Sequence, residues 1–403
     1  TTDIAESNGQ RLARLRARHR WTQARLATES GYSLGAIRSF EQGVRSLDRP
    51  AVILAFAQAL DCHPTEITGA PYVPVQADHD GQAAVASVAA VRRALMRHDR
   101  PTRPTEAEAA AINLPDLHTR VHDANTHRQA AALTKAGAEL PALLRDLQVA
   151  AELTTGDQKR QAYNLLASAY ECAMQYLYKL GHSSDATLAT ERVVWASQET
   201  GDPLRILAAR WYDAGEFLTI GEHDEAGHII DEALTELGAI SSPGPEAVSL
   251  RGAFQLKASL NLARAADTKA AVRHLAHARQ AADELGEDRN DYQLQFGPTN
   301  TALWSVSLPV EMGHGRDAVA RAEKVRLPDD YSQERHSHFH IDRGRAYFYN
   351  GQRDEAVAAF LEAERLAPQA TRAHAAVRET IGTMIRTRKR GDLVELGIRV
   401  GVV

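Results

Sequence analysis

Hydrophobic positions recur along this chain at the three- and four-residue spacing of α-helices almost from end to end. Strand-like alternation is nearly absent, and Gly or Pro interrupts the periodic segments at short intervals. The periodicity is lost near 69–81, GAPYVPVQADHDG, and again in a proline-containing loop that follows a predicted helix at 82–98. We therefore predict an all-α protein with three parts, which are residues 1–70, a linker with one helix at 71–115, and a long helical region at 116–403.

Residues 21–43, WTQARLATESGYSLGAIRSFEQG, have the pattern of two short helices joined by a sharp turn. Thr22 and Ser33 are residue types that cap helix N-termini, and Gly31 allows the left-handed conformation that such a turn needs. Ile37 and Phe40 give the second helix an inward apolar face. A short helix held outward from its domain in this way fits the major groove of DNA.

Charge supports this interpretation, because residues 11–49 contain nine arginines and only three acidic residues. Positive charge of this density favours contact with phosphates. The whole chain nevertheless has a net charge of −5, so the long helical region is acidic and is not predicted to bind DNA. Only 7 of the 47 basic residues are Lys, which indicates that part of the arginine excess reflects a GC-rich genome.

Residues 7–69 resemble the XRE family, the lambda-repressor-like helix-turn-helix domains of five helices. The resemblance is carried by identities at the cap, turn, core and exit of the motif, namely Leu15, Trp21-Thr22-Gln23, Leu26-Ala27, Gly31, Ser33, Ile37, Phe40-Glu41, Gly43, Ala57 and Leu60. It implies that Gln23 docks on a backbone phosphate and that Arg16 pairs with Glu41. The DNA-contacting residues implied by this comparison are Arg16, Gln23, Ser33, Leu34, Gly35, Arg38, Ser39 and Arg45.

The base-facing positions depart from the best-known readers, which carry amide side chains there. Leu34 can contact a thymine methyl group and Ser39 can bond either kind of base edge, but neither is a bidentate reader. Arg38 is the strongest candidate for a guanine, with a phosphate contact or a solvated charge as the alternative. Sequence preference is therefore expected to depend in part on DNA shape.

Internal repetition is the second strong signal. Residues 337–368, SHFHIDRGRAYFYNGQRDEAVAAFLEAERLAP, resemble a tetratricopeptide repeat, and residues 116–155 are predicted to add a helical pair at the start. Each copy has a turn residue followed five positions later by Ala, as in Gly181 and Ala186, Gly221 and Ala226, Ala266 and Ala271, Gly313 and Ala318, and Gly351 and Ala356. Such pairs bury their apolar faces only by stacking, which predicts an α-solenoid with a concave inner wall.

In tetratricopeptide domains the first helix of each pair faces the concave wall. This comparison assigns ligand contacts to Glu171, Gln175, Lys179, Trp211, Asn300, Arg345 and Tyr349. Amides, charges and aromatic rings in this mixture suit an extended peptide. An ordinary solvent-exposed helix face has a similar mixture, and that remains the alternative for each residue.

Little else in the sequence indicates chemistry. Cys62 and Cys172 are too few for a disulfide framework and suit a reducing cytosol. No apolar run is long enough to span a membrane. His336 and His340 share a helix face, but no third ligand is placed by spacing, so no metal and no cofactor are predicted. No catalytic constellation or phosphate-binding loop is present, and we do not expect an enzyme.

The combination resembles the RRNPP-type bacterial regulators, in which an XRE reader precedes a tetratricopeptide domain that binds a short signalling peptide. The resemblance implies a cytoplasmic quorum-sensing regulator. It would act as a homodimer that presents two readers to a double-stranded DNA operator and responds to a peptide or small-molecule effector. An alternative is an interaction scaffold that is tethered to DNA and controlled by a protein partner.

Overall fold

The computed structural model describes residues 6–69, 71–74, 78–97, 104–388 and 391–403. Within these ranges the chain is helical almost throughout and contains no strand, apart from an isolated antiparallel bridge between Arg289 and Phe296. The all-α prediction is confirmed. None of the described helices is both long and apolar enough to cross a membrane.

The N-terminal unit consists of five helices, as predicted: α1 (Asn8–Arg18), α2 (Gln23–Ser30), α3 (Leu34–Glu41), α4 (Pro50–Ala59) and α5 (Pro64–Thr68). Its core is small and complete, since Leu12, Leu26, Ile37 and Phe56 are fully buried. The rings of Phe40 and Phe56 meet edge to face with centroids 5.8 Å apart. Apolar residues at helical spacing thus form a separate core that holds α3 against its neighbours.

The long helical region begins with three short helices, α6 (His79–Ala86), α7 (Val88–Leu95) and α8 (Glu106–Ala110). It continues through α9 (Leu114–Gln129), α10 (Leu133–Leu153), α11 (Gly156–Lys179), α12 (Ser183–Thr200), α13 (Pro203–Ile220), α14 (His223–Gly238), α15 (Pro245–Arg264), α16 (Thr268–Leu285), α17 (Pro298–Glu311), α18 (Gly315–Ala322), α19 (Gln333–Tyr349), α20 (Arg353–Leu366), α21 (Pro368–Ala373), α22 (Ala375–Thr387) and α23 (Gly391–Arg399). A single 3₁₀ turn, Asp291–Gln293, precedes α17.

Helices α9 to α20 are arranged as six consecutive hairpins, which together make a helical solenoid. All five predicted turn residues have positive φ, as in Gly351 at 80° and Ala266 at 65°. The alanine five positions after each turn is buried. At Gly344 a Cβ would lie 2.6 Å from the Phe360 ring, so glycine lets α19 and α20 approach closely. Assignment of these hairpins to tetratricopeptide repeats stays a prediction.

The expectation of a linker with one helix is wrong, because three helices lie between residues 79 and 110. The predicted helix 82–98 is divided at Ser87 into α6 and α7, and its last residue is outside the described ranges. Both helices pack on α10 and bury Ala84, Val88 and Val91 there. Their apolar faces therefore join this stretch to the helical body.

The solenoid closes on itself, which repeat spacing alone does not indicate. Gln129 at the end of α9 accepts a hydrogen bond from the Ser332 hydroxyl at 3.1 Å through its carbonyl. Its side chain donates to Gln293 at 3.0 Å. The first hairpin thereby contacts the sixth, and the wall predicted to be open becomes a largely buried interior. At the other end, α23 buries Leu393 and Leu396 against the last helices, so the terminal segment caps the solenoid.

Candidate nucleic-acid interface

The helix-turn-helix forms because nearby hydroxyl groups cap both helices and a glycine allows the turn between them. The Thr22 hydroxyl accepts a hydrogen bond from the Arg25 N–H at 3.2 Å, and the Ser33 hydroxyl accepts one from Ala36 at 3.2 Å. Gly31 ends α2 with a φ of 73°. These caps define where both helices start, and the left-handed glycine sets the bend between them.

The outer face of α3 is open. Gly35 and Arg38 are exposed, while Leu34 and Ser39 are half-buried. No atom lies within 4 Å of the position that a Cβ on Gly35 would take. Arg45, which follows the helix, is exposed and its guanidinium carbon lies 4.9 Å from the Phe40 ring centroid. A groove-sized surface with two exposed arginines is thus available, although the Ser33 hydroxyl is already used as a cap.

Arg16 and Gln23 are held by a carboxylate within the unit. Arg16 donates through Nε and Nη2 to Glu41 at 2.6 and 2.9 Å, and through Nη1 to the Trp21 carbonyl at 2.7 Å. The Gln23 amide donates to the same Glu41 at 2.7 Å. Hydrogen bonds to Glu41 raise the pKa of Arg16. The predicted Arg16–Glu41 pair is confirmed, and Arg16 is thereby held inside the unit, where it positions α3. Its contact with DNA stays a prediction.

The N-terminal unit docks on the helical body through the opposite side. Asp48, in the loop after α3, is 2 % exposed and accepts hydrogen bonds from Arg345 Nε at 3.4 Å and Thr380 at 3.3 Å. The Tyr349 hydroxyl also donates to Asp48. Arg345 further donates to Glu311 at 3.3 Å. Three body side chains thus converge on one carboxylate of the N-terminal unit.

Four further hydrogen bonds fix the orientation of this unit. The backbone N–H of Asn8 donates to Glu379 at 3.0 Å, and Arg386 donates to the carbonyl of Gly43 at 3.2 Å. Arg49 donates to the Met312 carbonyl at 3.1 Å and Gln58 to the Gly221 carbonyl at 3.3 Å. These docking bonds come from α1, α4 and the loop after α3. The described outer face of α3 takes no part in them and remains turned to solvent.

Two residues predicted to bind ligand therefore lie in the contact between the helical body and the N-terminal unit. Arg345 and Tyr349 contact Asp48 in this structure, and their assignment to ligand binding stays a prediction. Burial, opposed by Arg345, raises the pKa of Tyr349 well above its usual value. The partner lies 297 positions away from Arg345, and no local pattern could identify it.

Two other predicted residues lie in the closed interior and have charged partners. Glu171 is 1 % exposed, with one carboxylate oxygen 3.0 Å from Arg205 Nη2. Burial raises the pKa of Glu171 to about 7, although Arg205 favours the ionised form. Lys179 Nζ lies 3.0 Å from Glu334, and Arg128 donates to Glu334 at 2.6 Å. The sequence analysis missed Arg128, Arg205 and Glu334, because none of them is at a repeat position that was assigned to the concave wall.

The remaining predicted residues do not join this group. The indole N–H of Trp211 donates to the Ala253 carbonyl at 3.0 Å, and the Lys257 ammonium lies 3.4 Å from its ring centroid. Burial lowers the pKa of Lys257 to about 7. Asn300 is buried with a side-chain oxygen that has no hydrogen-bond partner, and Gln175 is half-buried. The seven residues are thus spread over separate contacts and do not form one continuous wall.

Histidines do not build a metal centre in the part of the chain that the structure describes, where no cluster of three potential ligands is assembled. Burial lowers the pKa of His340 to about 4, and His336 makes a contact with the Pro328 carbonyl at 3.0 Å.

Comparison with known proteins agrees with the N-terminal geometry. Residues 9–68 match a family model described as a helix-turn-helix domain. No curated protein is similar to the chain in sequence. Among solved structures, BtubC (BKLC) from P. vanneervenii is similar at 14 % identity and a TM-score of 0.34, with 62 % of this chain and 91 % of that chain covered. The family match supports a DNA-binding regulator whose helix-turn-helix domain spans residues 9–68.

Proposed function

We propose that this protein is a transcription regulator in which a dimer binds an operator through α3 and the helical body controls that binding in response to an effector. The effector is a short signalling peptide or a small molecule, and the protein acts on the chromosome in the cytoplasm. One observation carries the proposal. The N-terminal unit, which presents α3, docks on α19 through the buried carboxylate of Asp48, and α19 is a helix of the solenoid interior.

DNA binding rests on the open face of α3. Arg38 can bind a guanine or a phosphate, and Leu34 can contact a thymine methyl group. Ser39 adds a hydroxyl that serves as donor or acceptor. Because α3 carries few side chains that can make two hydrogen bonds to one base, the operator is recognised in part through groove shape and bendability.

Control of DNA binding by the helical body follows from the docking of the N-terminal unit on that body. A dimer binds tightly only where its two α3 helices match the spacing of two half-sites, roughly 34 Å apart on successive turns of B-DNA. An effector that rearranges the solenoid interior moves or frees the docked unit and so changes this spacing. An effector can shift the equilibrium only by its difference in affinity between the two arrangements.

Selection of bound fragments from sheared genomic DNA, at low and moderate salt, tests this function. We expect enrichment of a sequence with two half-sites and a change in enrichment when concentrated spent culture medium is added. Native mass spectrometry of the same sample reports a dimer and any bound peptide or metabolite. A stoichiometric protein partner would favour the scaffold alternative, and absence of duplex binding at low salt would contradict the proposal.

A further inference from the structure

Glu334 holds the first and sixth hairpins together from inside the solenoid. It lies in the first turn of α19, and each of its oxygens faces a different cation, Arg128 Nη1 at 2.6 Å and Lys179 Nζ at 3.0 Å. The side chains of Arg128 and Glu334 are only 2 % and 10 % exposed. Although burial opposes ionisation, Lys179 and Arg128 hold the pKa of Glu334 well below its usual range.

The cations around Glu334 have more binding capacity than one carboxylate uses. Buried Nε and Nη2 of Arg128 make no hydrogen bond, and neither does the buried Nδ1 of His374. A cavity of about 20 Å³ lies beside them. Its polar lining residues are Arg128, Lys179, Glu334, Ser337, His338 and His374, and the rest of its lining is apolar. Burial lowers the pKa of His338 to about 3, so its imidazole is neutral. Arg128 and Lys179 both face Glu334, and Glu171 is a second anion near Arg128. The buried Arg128 nitrogens that lack a hydrogen bond are nevertheless unfavourable.

We propose that Arg128 and Lys179 form the binding site for a carboxylate group of the effector, and that Glu334 occupies this site when the effector is absent. A ligand carboxylate takes the two hydrogen-bonding positions of Glu334, which moves out to solvent from the end of its helix. The neutral imidazoles and the unused Arg128 donors provide further polar contacts. The cavity has room for about one water molecule in the closed state, so ligand entry requires α19 to move.

Helix α19 gives this exchange a route to the DNA-reading unit. It carries Glu334 in its first turn and Arg345 and Tyr349 toward its other end, about 16 Å and about 22 Å away along the axis at the rise of an α-helix. One rigid element therefore contacts both the interior cations and Asp48. Displacing Glu334 shifts α19, and the docking of the N-terminal unit changes with it. This inference rests on the proposed function for the identity of the effector, but its binding step does not require DNA.

Calorimetric titration of the full chain tests the site with three defined probes. These are a pool of heptapeptides with free C-terminal carboxylates, the same pool with C-terminal amides, and succinate. We expect Glu334→Ala to bind at least one carboxylate probe about tenfold more tightly than wild type, because the competing side chain is gone. Adding Lys179→Met should abolish that gain. Glu362→Ala, which removes the exposed pair with Arg365, is the matched control and should behave as wild type.

The outcomes separate the possibilities. Binding of free-acid peptides but not their amides indicates a peptide carboxylate, and binding of succinate indicates a small organic acid. Equal affinity of Glu334→Ala and Glu362→Ala for every probe, or a gain that survives Lys179→Met, overturns the proposal. If Glu334→Ala does not fold, Glu334→Gln is judged by the same criteria. Carboxylate binding without any change in DNA affinity would leave this site standing and contradict effector control in the proposed function.

Discussion

Asp48 and Arg345 lie 297 positions apart in sequence and form a buried contact, with 3.4 Å between Oδ2 and Nε. Their exposed fractions are 2 % and 3 %. Asp48 belongs to the DNA-reading unit and Arg345 to the inner helix of the last hairpin. Both groups are removed from water, so loss of Arg345 leaves Asp48 without its counter-charge, whereas loss of Asp48 leaves Arg345 with Glu311 and Asp342. The pair is therefore one of several contacts that set the position of α3 relative to the body.

Replacement of Asp48 by Asn is expected to loosen the N-terminal unit. The change leaves Arg345 with less compensation, at a cost of about 3 kcal/mol for a broken buried pair. Hydrogen exchange of residues 6–69 should become faster, with earlier proteolytic cleavage between that unit and the body. Asp157→Asn, which affects only an exposed pair with Arg160, is the control. Equal exchange in both variants would show that the remaining docking bonds suffice.

Arg38→Ala is expected to weaken operator binding by about 1–3 kcal/mol and to relax preference at one base pair, if the guanidinium reads a guanine. A phosphate contact would instead weaken all sequences alike. Fluorescence anisotropy with the selected operator and its single-base variants distinguishes the two results. Arg273→Ala, an exposed arginine on α16, should leave binding unchanged. Unaltered affinity of Arg38→Ala at every site would remove this residue from the interface.

Two glycines of the helix-turn-helix should respond oppositely to alanine. Gly31 has a φ of 73°, so Gly31→Ala is expected to destabilise the unit by about 1–2 kcal/mol. Gly35 is helical and has open space around it, so Gly35→Ala should stabilise α3 by up to about 1 kcal/mol. Hydrogen exchange of α2 and α3 measures both changes. Similar shifts of the same sign would contradict the turn geometry.

Lys257 should make stability depend on pH. Its pKa falls from 10.5 in the unfolded chain to about 7 in the fold, so the unfolded state binds more protons between these values and stability rises with pH there. Below pH 7 the Lys257 ammonium stays charged in the folded protein, and the whole unfavourable free energy of burying that charge remains. Lys257→Met should therefore raise the free energy of unfolding at pH 6 by at least about 1.4 kcal/mol.

That gain should shrink toward pH 10, because the folded wild type is then neutral at this position. Thermal melts of both proteins at pH 6, 8 and about 10 follow the difference. The exposed Lys269→Met on α16 provides the comparison for removal of a surface lysine. A gain that stays constant over the range would mean that packing against Trp211, and not charge, is responsible.

Local signals explain why the DNA-reading unit could be predicted closely. Caps at Thr22 and Ser33, the turn at Gly31 and the inward Ile37 and Phe40 each act within a few residues. The solenoid turns were predicted for the same reason, since a left-handed residue and a following small residue are enough to describe each hairpin.

The ligand-contact prediction depended on which surfaces stay open, and the repeat pattern alone does not determine that. Glu171 and Lys179 do lie inside the solenoid, but they face Arg205 and Glu334. Arg345 and Tyr349 face Asp48. The repeat offsets place a side chain on the inner helix, and they contain no information on what reaches it from another hairpin.

The order of amino acids determined the helices, their caps and turns, the basic N-terminal surface and the outward residues of α3, because these follow from hydrogen bonds and apolar spacing over a few positions. Only folding in three dimensions decided that the solenoid closes through Glu334 and that Asp48 docks on α19. Both contacts join residues hundreds of positions apart, and the burial that makes their charges significant exists only after the hairpins have stacked.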